Sequence, residues 1–109
     1  MNRHMKKYKV KVTPEAKTDL KLYLTYVLKK LKNEQATKSI ADDFRATKNE
    51  LEDVAGSIRD PDSEMLKQRR LKRINLKHHN YFLLFRIKDD VVEVTNMFHD
   101  LEDYESKLR

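Results

Sequence analysis

Hydrophobic and polar residues recur with two different periods along this chain, and the change of period separates strands from helices. Residues 8–12 alternate apolar and basic side chains, which is the pattern of a half-buried strand. Thr13 and Pro14 then supply a capping hydroxyl and a proline suited to the first helical position, so a helix is predicted to begin there. Helical spacing predicts one buried stripe, formed by Ala16, Leu20, Tyr23, Leu24, Val27 and Leu31.

The next apolar pattern predicts a second helix from about residue 35 to residue 55. Its buried side is marked by Ile40, Phe44, Thr47, Leu51, Ala55 and Ile58. Gly56 is expected to end this helix, and the segment Asp60-Pro61-Asp62 is expected to keep the helix from resuming after it. Because only the polar segment 32–34 separates the two helices, we expect an antiparallel hairpin.

Three strands are predicted in the second half of the chain, at 71–76, 81–87 and 91–98. The middle strand is apolar on both faces and is therefore expected at the centre of a sheet. The last strand is rich in β-branched residues. Residues 77–80 and 88–90 are expected to be turns, so the three strands form an antiparallel meander.

Together these elements predict a single α+β domain over residues 1–109. An N-terminal strand, an antiparallel two-helix hairpin and the three-stranded antiparallel meander form one small, mainly antiparallel sheet with the hairpin on one face. Residues 100–108 predict a short C-terminal helix. Residues 1–7, which include His4, are expected to be a flexible N-terminal arm.

The composition allows one small core and narrows the possible chemistry. Among 109 residues, 39% are hydrophobic, one is glycine and none is cysteine. Glycine-rich phosphate loops, disulfides, thiolate metal sites and cysteine nucleophiles are therefore excluded. No apolar run has the length of a membrane span, and no apolar segment follows the basic N-terminus as in a signal peptide. We therefore expect a cytoplasmic protein without membrane contact.

Charge is distributed unevenly, and the net charge of +6 favours an anionic partner, either nucleic acid or an acidic protein. Between Met65 and Lys88 there is no acidic residue. Either the basic side chains of this stretch contact nucleic-acid phosphates, or they line a solvated strand edge that they protect from aggregation. On the first interpretation the nucleic-acid-binding residues are Lys67, Arg69, Arg70, Lys72 and Lys77.

Two arginines of the same stretch are candidates for phosphate chemistry. Arg73 alternates with Ile74 and Leu76, so it is expected on the sheet face away from the helices. There it is a bidentate phosphate ligand or an ordinary exposed arginine. Arg86 interrupts an apolar strand. It is expected on the open face of the sheet or in an ion pair with a nearby acid, namely Asp89, Asp90 or Glu93.

His99 is the histidine best placed for catalysis, because it directly follows the last strand beside the basic stretch. It is predicted to act as general acid toward a leaving 5′ oxygen, or to be a strand-end histidine hydrogen-bonded to Asp100 or Glu102. His78 and His79 lie in a predicted turn without the helical spacing of a metal pair, so we expect no metal and no cofactor.

The helices carry further residues of interest. Glu15, Asp19 and Asp42-Asp43 are expected on helix surfaces, where they are solvated and interact with the helix dipole. Leu22 and Tyr26 fall opposite the buried stripe of the first helix. Either they mark a partner-binding surface, or the C-terminal tail or the N-terminal arm covers them.

From residue 8 to about residue 108 the sequence resembles the RelE/ParE toxins of type II toxin–antitoxin systems. The order and spacing of several segments carry the resemblance: 10–16 with Asp19-Leu20, Tyr26, 73–76, 81–87, 92–94 and 99–104. It implies the same strand, helical hairpin and antiparallel sheet. It also implies a small basic toxin neutralised by an antitoxin encoded beside it, whose acidic, partly disordered segment folds on binding.

The resemblance implies one of two activities. RelE-like members cleave mRNA in the ribosomal A site by attack of a 2′-hydroxyl on the adjacent phosphate, and ParE-like members block DNA gyrase. On the RelE-like pattern Arg73 corresponds to the phosphate-binding strand arginine. Arg86 adds charge stabilisation, as do Lys67 or Arg70, and His99 donates the proton.

Two departures from the nuclease pattern are visible. Asp100 follows His99 where several active nucleases carry an aromatic residue, and the helical hairpin is long, as in the gyrase-directed branch. The sequence-based prediction is a toxin that arrests growth by metal-independent, ribosome-dependent mRNA cleavage. The alternatives are a non-enzymatic inhibitor of DNA gyrase and a degenerate toxin that binds only its antitoxin. Whether Arg73, Arg86 and His99 converge depends on strand register, which a one-residue slip inverts.

Overall fold

A computed structural model describes residues 7–108, so most of the predicted flexible arm, including His4, lies outside the described residues. The elements, in chain order, are β1 (Lys9–Val12), α1 (Pro14–Lys29), α2 (Glu34–Val54), a 3-10 turn (Ala55–Ser57), α3 (Glu64–Gln68), β2 (Lys72–Asn75), β3 (Tyr81–Lys88), β4 (Val91–His99) and α4 (Tyr104–Lys107). This order confirms the predicted α+β class and the helical hairpin.

Within residues 7–108 the sheet contains four strands in the order β1-β4-β3-β2. β2, β3 and β4 form the predicted antiparallel meander, and β1 adds to its edge in parallel with β4, where Val10 lies opposite Val92. The sheet is therefore mixed, and the first strand of the chain pairs with the last.

The predicted start of the first helix is confirmed. Thr13 accepts a hydrogen bond from the backbone N–H of Ala16, and Pro14 occupies the first turn, as the capping preferences require. The end of the helix differs from the prediction. α1 stops at Lys29, so Leu31 lies beyond the helix and is exposed instead of continuing the buried stripe.

The sheet packs hydrophobic side chains on both faces. The hairpin covers one face with a core that includes Leu51, Leu83, Phe85 and Val92. We refer to the opposite side as the second face. It carries a smaller cluster that α3 and α4 cover, formed by Leu66, Leu71, Phe82, Leu84 and Phe98 with Tyr104 and Leu108 at its margin.

Neither α3 nor this second cluster was predicted. α3 is only five residues long, which is too short for helical periodicity to be visible, although Ser63 caps it by accepting from the N–H of Leu66.

A bulge in β4 changes which side chains share a face. Leu84 lies opposite Asn96 and Phe85 lies opposite Val94, so Thr95 is an extra residue without a partner in this register. Because side chains alternate along a strand, this extra residue puts Val94 and Met97 on the same side, and both join the hairpin-side core. The bulge therefore also determines where His99 points.

Candidate functional site

Arg73 lies on β2 and points to the second face of the sheet, as predicted. Its guanidinium carbon lies 3.7 Å from the centre of the Phe82 ring. Its Nε donates to Asn75 Oδ1 at 3.0 Å, and its Nη2 lies 3.4 Å from Asp100 Oδ1. The aromatic ring, the amide and the carboxylate together satisfy much of the binding capacity of this arginine.

Arg86 combines the two predicted alternatives. It follows Phe82 and Leu84 on the second face, beside a cleft of about 430 Å³. Its Nε also pairs with Glu93 Oε1 at 3.4 Å, across the β3–β4 ladder. Both side chains are about half exposed, so the pair contributes little to stability.

His99 lies on the other face. It pairs across the ladder with Tyr81, a member of the hairpin-side core, and the two rings meet edge to face at 5.1 Å. Its Nδ1 accepts from the backbone N–H of Leu101 at 3.1 Å, so a neutral ring carries its proton on Nε2. Its backbone N–H donates to Glu102 Oε1 at 3.0 Å.

The three candidate catalytic residues do not meet at one point. Arg73 and Arg86 lie on the second face, and His99 lies on the hairpin side. The bulge at Thr95 causes this separation, because uninterrupted alternation from Val94 would have put His99 on the face of Arg73.

Most of the predicted nucleic-acid-binding residues have partners. Acids outside this acid-free stretch pair with its cations at 3.5 to 3.9 Å: Glu64, on the same helix, with Lys67, Asp60 with Lys72, and Glu50 of α2 with Lys77. Lys72 also donates to the carbonyl of Ile58 at 2.6 Å, and Arg69 donates to the carbonyl of Leu108. Within residues 7–108, Arg70 forms no such pair; it lies in the turn before β2 with a left-handed φ of 58°.

A cleft of about 330 Å³ lies beside Arg73 on the second face. Its lining carries both signs of charge, with Arg59 and Arg73 beside Asp60 and Asp62, and Tyr104 closes one side. A mixed lining of this kind gives a phosphate only partial charge complementarity.

Asp43 forms a buried polar centre that sequence reasoning missed. It was expected on the surface of the second helix, but it is only 3% exposed. It accepts from the backbone N–H groups of Lys77 and His78 at 3.2 and 2.8 Å and from His79 Nδ1 at 3.0 Å. His79 Nε2 in turn lies 3.3 Å from Ser39 Oγ, one helical turn before Asp43.

This centre fastens the β2–β3 turn to α2. Burial alone would raise the pKa of the Asp43 carboxyl, but the hydrogen bonds from His79 and from the two backbone N–H groups outweigh it and hold that pKa below its usual value. The carboxylate is thus ionised at neutral pH. The only sequence signal was its position one turn from Thr47 on the buried side of α2.

Asp19, also expected on a helix surface, has a structural role at the edge of β4. β4 extends past the end of β1, which pairs only with residues 91–94. In this unpaired part of β4, the N–H of Met97 donates to Asp19, and the N–H of His99 donates to Glu102 and Tyr23. Tyr23 itself donates its hydroxyl proton to Glu102. Burial raises the pKa of Tyr23 and of Asp19. Side chains thus satisfy strand N–H groups where no neighbouring strand lies.

Leu22 and Tyr26 are exposed, as predicted, at 65% and 55% of their surface. The C-terminal tail does not cover them, because α4 packs on the second face through Tyr104 and Phe82. Their role in partner binding remains a prediction. In residues 7–108 no cluster of three or more histidine or acidic side chains is placed to hold a metal ion. No helix in the same part of the chain is both long and apolar enough to cross a membrane.

The family model for the ParE toxin of the type II toxin–antitoxin system parDE matches residues 10–104. The chain therefore belongs to the ParE toxin family, and the predicted type II toxin identity is confirmed, with a cognate antitoxin as the implied partner.

A solved structure titled as the chromosomal ParDE TA system from P. aeruginosa is similar in fold, with a TM-score of 0.72 over 88% of this chain and 97% of that chain. The two sequences are 19% identical, so this likeness concerns the fold alone. No curated protein matches this chain in sequence at a significant level.

Proposed function

We propose that this ParE-family toxin arrests growth by binding DNA gyrase, without cleaving mRNA. The observation that carries the proposal is that the side chains of Arg73 and His99 pack on opposite faces of the sheet. An in-line phosphoryl transfer needs its charge-stabilising group and its proton donor within hydrogen-bond reach of one phosphate. Membership of the ParE family supports the same conclusion, because the family resemblance implies gyrase as target.

The ion pairs that the two arginines already form also support the gyrase proposal. Arg73 and Arg86 each hold a carboxylate, on Asp100 and Glu93 respectively, so a phosphate has to displace an existing partner at both positions. An inhibitor that works by binding has no such requirement, since it needs surface complementarity and not a convergent site.

Ribosome-dependent mRNA cleavage is the second candidate. Arg73 remains about one-third exposed beside the 330 Å³ cleft, which favours residual access for a phosphate. A degenerate toxin that binds only its antitoxin is the third candidate, and absence of growth arrest on expression would favour it.

Two assays with purified toxin separate these candidates. We expect loss of supercoiling by purified DNA gyrase and an uncut reporter mRNA by primer extension in a bacterial translation extract. The double variant Arg73→Ala with His99→Gln should keep its effect on supercoiling. Discrete cuts that need ribosomes and vanish in that double variant would replace the gyrase proposal with mRNA cleavage.

A further inference from the structure

Ser39, His79 and Asp43 form a chain of hydrogen bonds on the side of α2 that faces the β2–β3 turn. His79 Nδ1 lies 3.0 Å from Asp43 Oδ2, and His79 Nε2 lies 3.3 Å from Ser39 Oγ. Ser39 and Asp43 are one helical turn apart on α2, so both reach the same imidazole from one face of the helix. The order of contacts, from carboxylate through imidazole to hydroxyl, is that of a Ser-His-Asp triad.

The directions of these hydrogen bonds make His79 Nε2 a proton acceptor. Asp43 is ionised at neutral pH, because its hydrogen bonds outweigh the effect of burial on its pKa. An ionised carboxylate only accepts, so a neutral His79 carries its proton on Nδ1. Its Nε2 then accepts the hydroxyl proton of Ser39. A serine is activated as a nucleophile by an imidazole that a third group holds in this orientation.

Exposure increases along the chain of hydrogen bonds from the carboxylate to the hydroxyl. The side chain of Asp43 is 1% exposed and that of His79 is 22% exposed, whereas Ser39 is an exposed residue. The orienting carboxylate is therefore fixed in the protein interior, and the hydroxyl is accessible to a reagent from solvent.

The other serines of the chain have different partners. Ser57 donates to a backbone carbonyl, and Ser63 and Ser106 donate to exposed carboxylates. Neither kind of oxygen is basic enough to remove a hydroxyl proton at neutral pH. Within residues 7–108, Ser39 alone has its hydroxyl beside a histidine nitrogen.

We propose that Ser39 is a nucleophile toward activated esters, with His79 as its general base and Asp43 as the positioning residue. Ser39 Oγ attacks the carbonyl carbon while its proton passes to His79 Nε2. The bond from that carbon to the leaving oxygen then breaks, the leaving group departs with the proton as an alcohol or phenol, and the acyl group stays on Ser39 as an ester. The N–H groups of Lys77 and His78 are bound to Asp43 and do not stabilise the oxyanion. We therefore expect acylation by esters with a good leaving group and no cleavage of amides.

An alkyl fluorophosphonate is the probe for this site, since its phosphorus takes the place of the carbonyl carbon and its fluoride that of the leaving alcohol. We expect mass spectrometry of the intact protein to show one adduct and peptide mapping to place it on Ser39. Ser39→Ala should remove this adduct. His79→Gln should slow its formation about 100-fold, as expected for the loss of a general base.

The matched controls are Ser57→Ala and His78→Ala. The first removes another exposed serine, and the second removes an exposed imidazole beside His79 while it keeps the backbone N–H that Asp43 binds. Both control variants should be labelled at the wild-type rate. Circular dichroism compares the fold of all variants, and Ser39→Ala alters an exposed side chain that should leave it unchanged.

Nitrogen-15 spectra of the histidine rings test the role of Asp43 separately. We expect neutral His79 to carry its proton on Nδ1, both in the wild type and in Ser39→Ala. A proton on Nε2 would overturn the proposal, because that nitrogen could not then accept the proton of Ser39.

Two labelling results would also overturn the proposal: no adduct on Ser39, or equal rates for the wild type and His79→Gln. Either would leave the three residues as a purely structural link between α2 and the β2–β3 turn. Neither bears on gyrase inhibition, which the supercoiling assay measures on unlabelled protein.

Discussion

Two regions of this chain are basic and free of acids in sequence, yet they differ in how many of their basic side chains form ion pairs in the folded protein. One is the strand region from Leu66 to Lys88, and the other is the hairpin region from Leu20 to Asn33. In the strand region, carboxylates from α2, β4 and the flanking loops reach most of the cations. In the hairpin region, no carboxylate of residues 7–108 pairs with a lysine.

The difference follows from where each region lies in the fold. β2 forms one edge of the sheet and β3 is its inner neighbour, and other segments bring Glu50, Asp60 and Asp100 close to the cations of this region. The hairpin region belongs to α1 and the turn before α2, and no acid of α2 pairs with its lysines within residues 7–108. A gap in the acidic residues of a sequence therefore identifies a free basic surface only when the tertiary neighbours carry no acids either.

The largest expected effect on stability concerns Phe82, whose ring lies against the guanidinium of Arg73. Phe82 is 1% exposed and packs against Phe98 and Tyr104 as well as the guanidinium. Phe82→Ala should lower the free energy of unfolding by about 3 to 4 kcal/mol, because it leaves a cavity in the second-face cluster. Leu28→Ala, at an exposed position of α1, should change it by less than about 0.5 kcal/mol. Urea unfolding of both variants tests this contrast, and similar losses would contradict it.

A smaller effect on the free energy of unfolding is expected from substitution of Asp43. Asp43→Asn should cost about 2 kcal/mol of unfolding free energy at pH 7, since it removes a charged acceptor for His79 and two backbone N–H groups. The pKa of Asp43 is depressed in the folded state, so its contribution is complete above the unfolded pKa of about 4 and is lost as pH falls through the folded value.

The stability difference between wild type and Asp43→Asn should therefore narrow in acid. Denaturant unfolding at several pH values between neutral pH and pH 3 measures it. Asp42→Asn is the control, because this neighbouring carboxylate is about half exposed. A difference that stays constant over the whole pH range would mean that Asp43 acts through shape and not through charge.

The smallest effect on stability is expected at the ion pairs of the strand region. Asp100→Asn with Glu93→Gln removes the carboxylates that hold Arg73 and Arg86, at a cost within about 1 kcal/mol for such exposed pairs. Retention on heparin should rise, because two arginines gain freedom to bind sulfate groups. Lys29→Ala with Lys30→Ala should lower retention. A double Asp100/Glu93 variant that elutes at the wild-type salt concentration would show that these arginines were already available.

The sequence allowed the order of elements to be predicted because the local signals were strong. Thr13 and Pro14 fixed the start of α1 to the residue, and alternating and continuous apolar runs located the strands. The bulge at Thr95 was not predictable, since apolar and polar residues occur at both alternating sets of positions between Val91 and Phe98, so alternation there is ambiguous. That single extra residue decides the side on which His99 lies.

The functional residues were less predictable than the fold for a related reason. The burial of Asp43 depends on a turn more than thirty residues away, and the acids that pair with Lys72 and Lys77 belong to other segments. Such contacts follow from tertiary packing and leave no local pattern. The exposure of Leu22 and Tyr26, in contrast, followed from helical periodicity alone and is confirmed.

The parallel pairing of β1 with β4 has a consequence for synthesis on the ribosome. Chains emerge from the N-terminus, so the helical hairpin can form while the strands that cover its apolar stripe are still untranslated. The sheet can close only after residues 91–94 are available to pair with Lys9–Val12. A chain interrupted before that point lacks β4, so β1 has no strand to pair with and the four-stranded sheet cannot form.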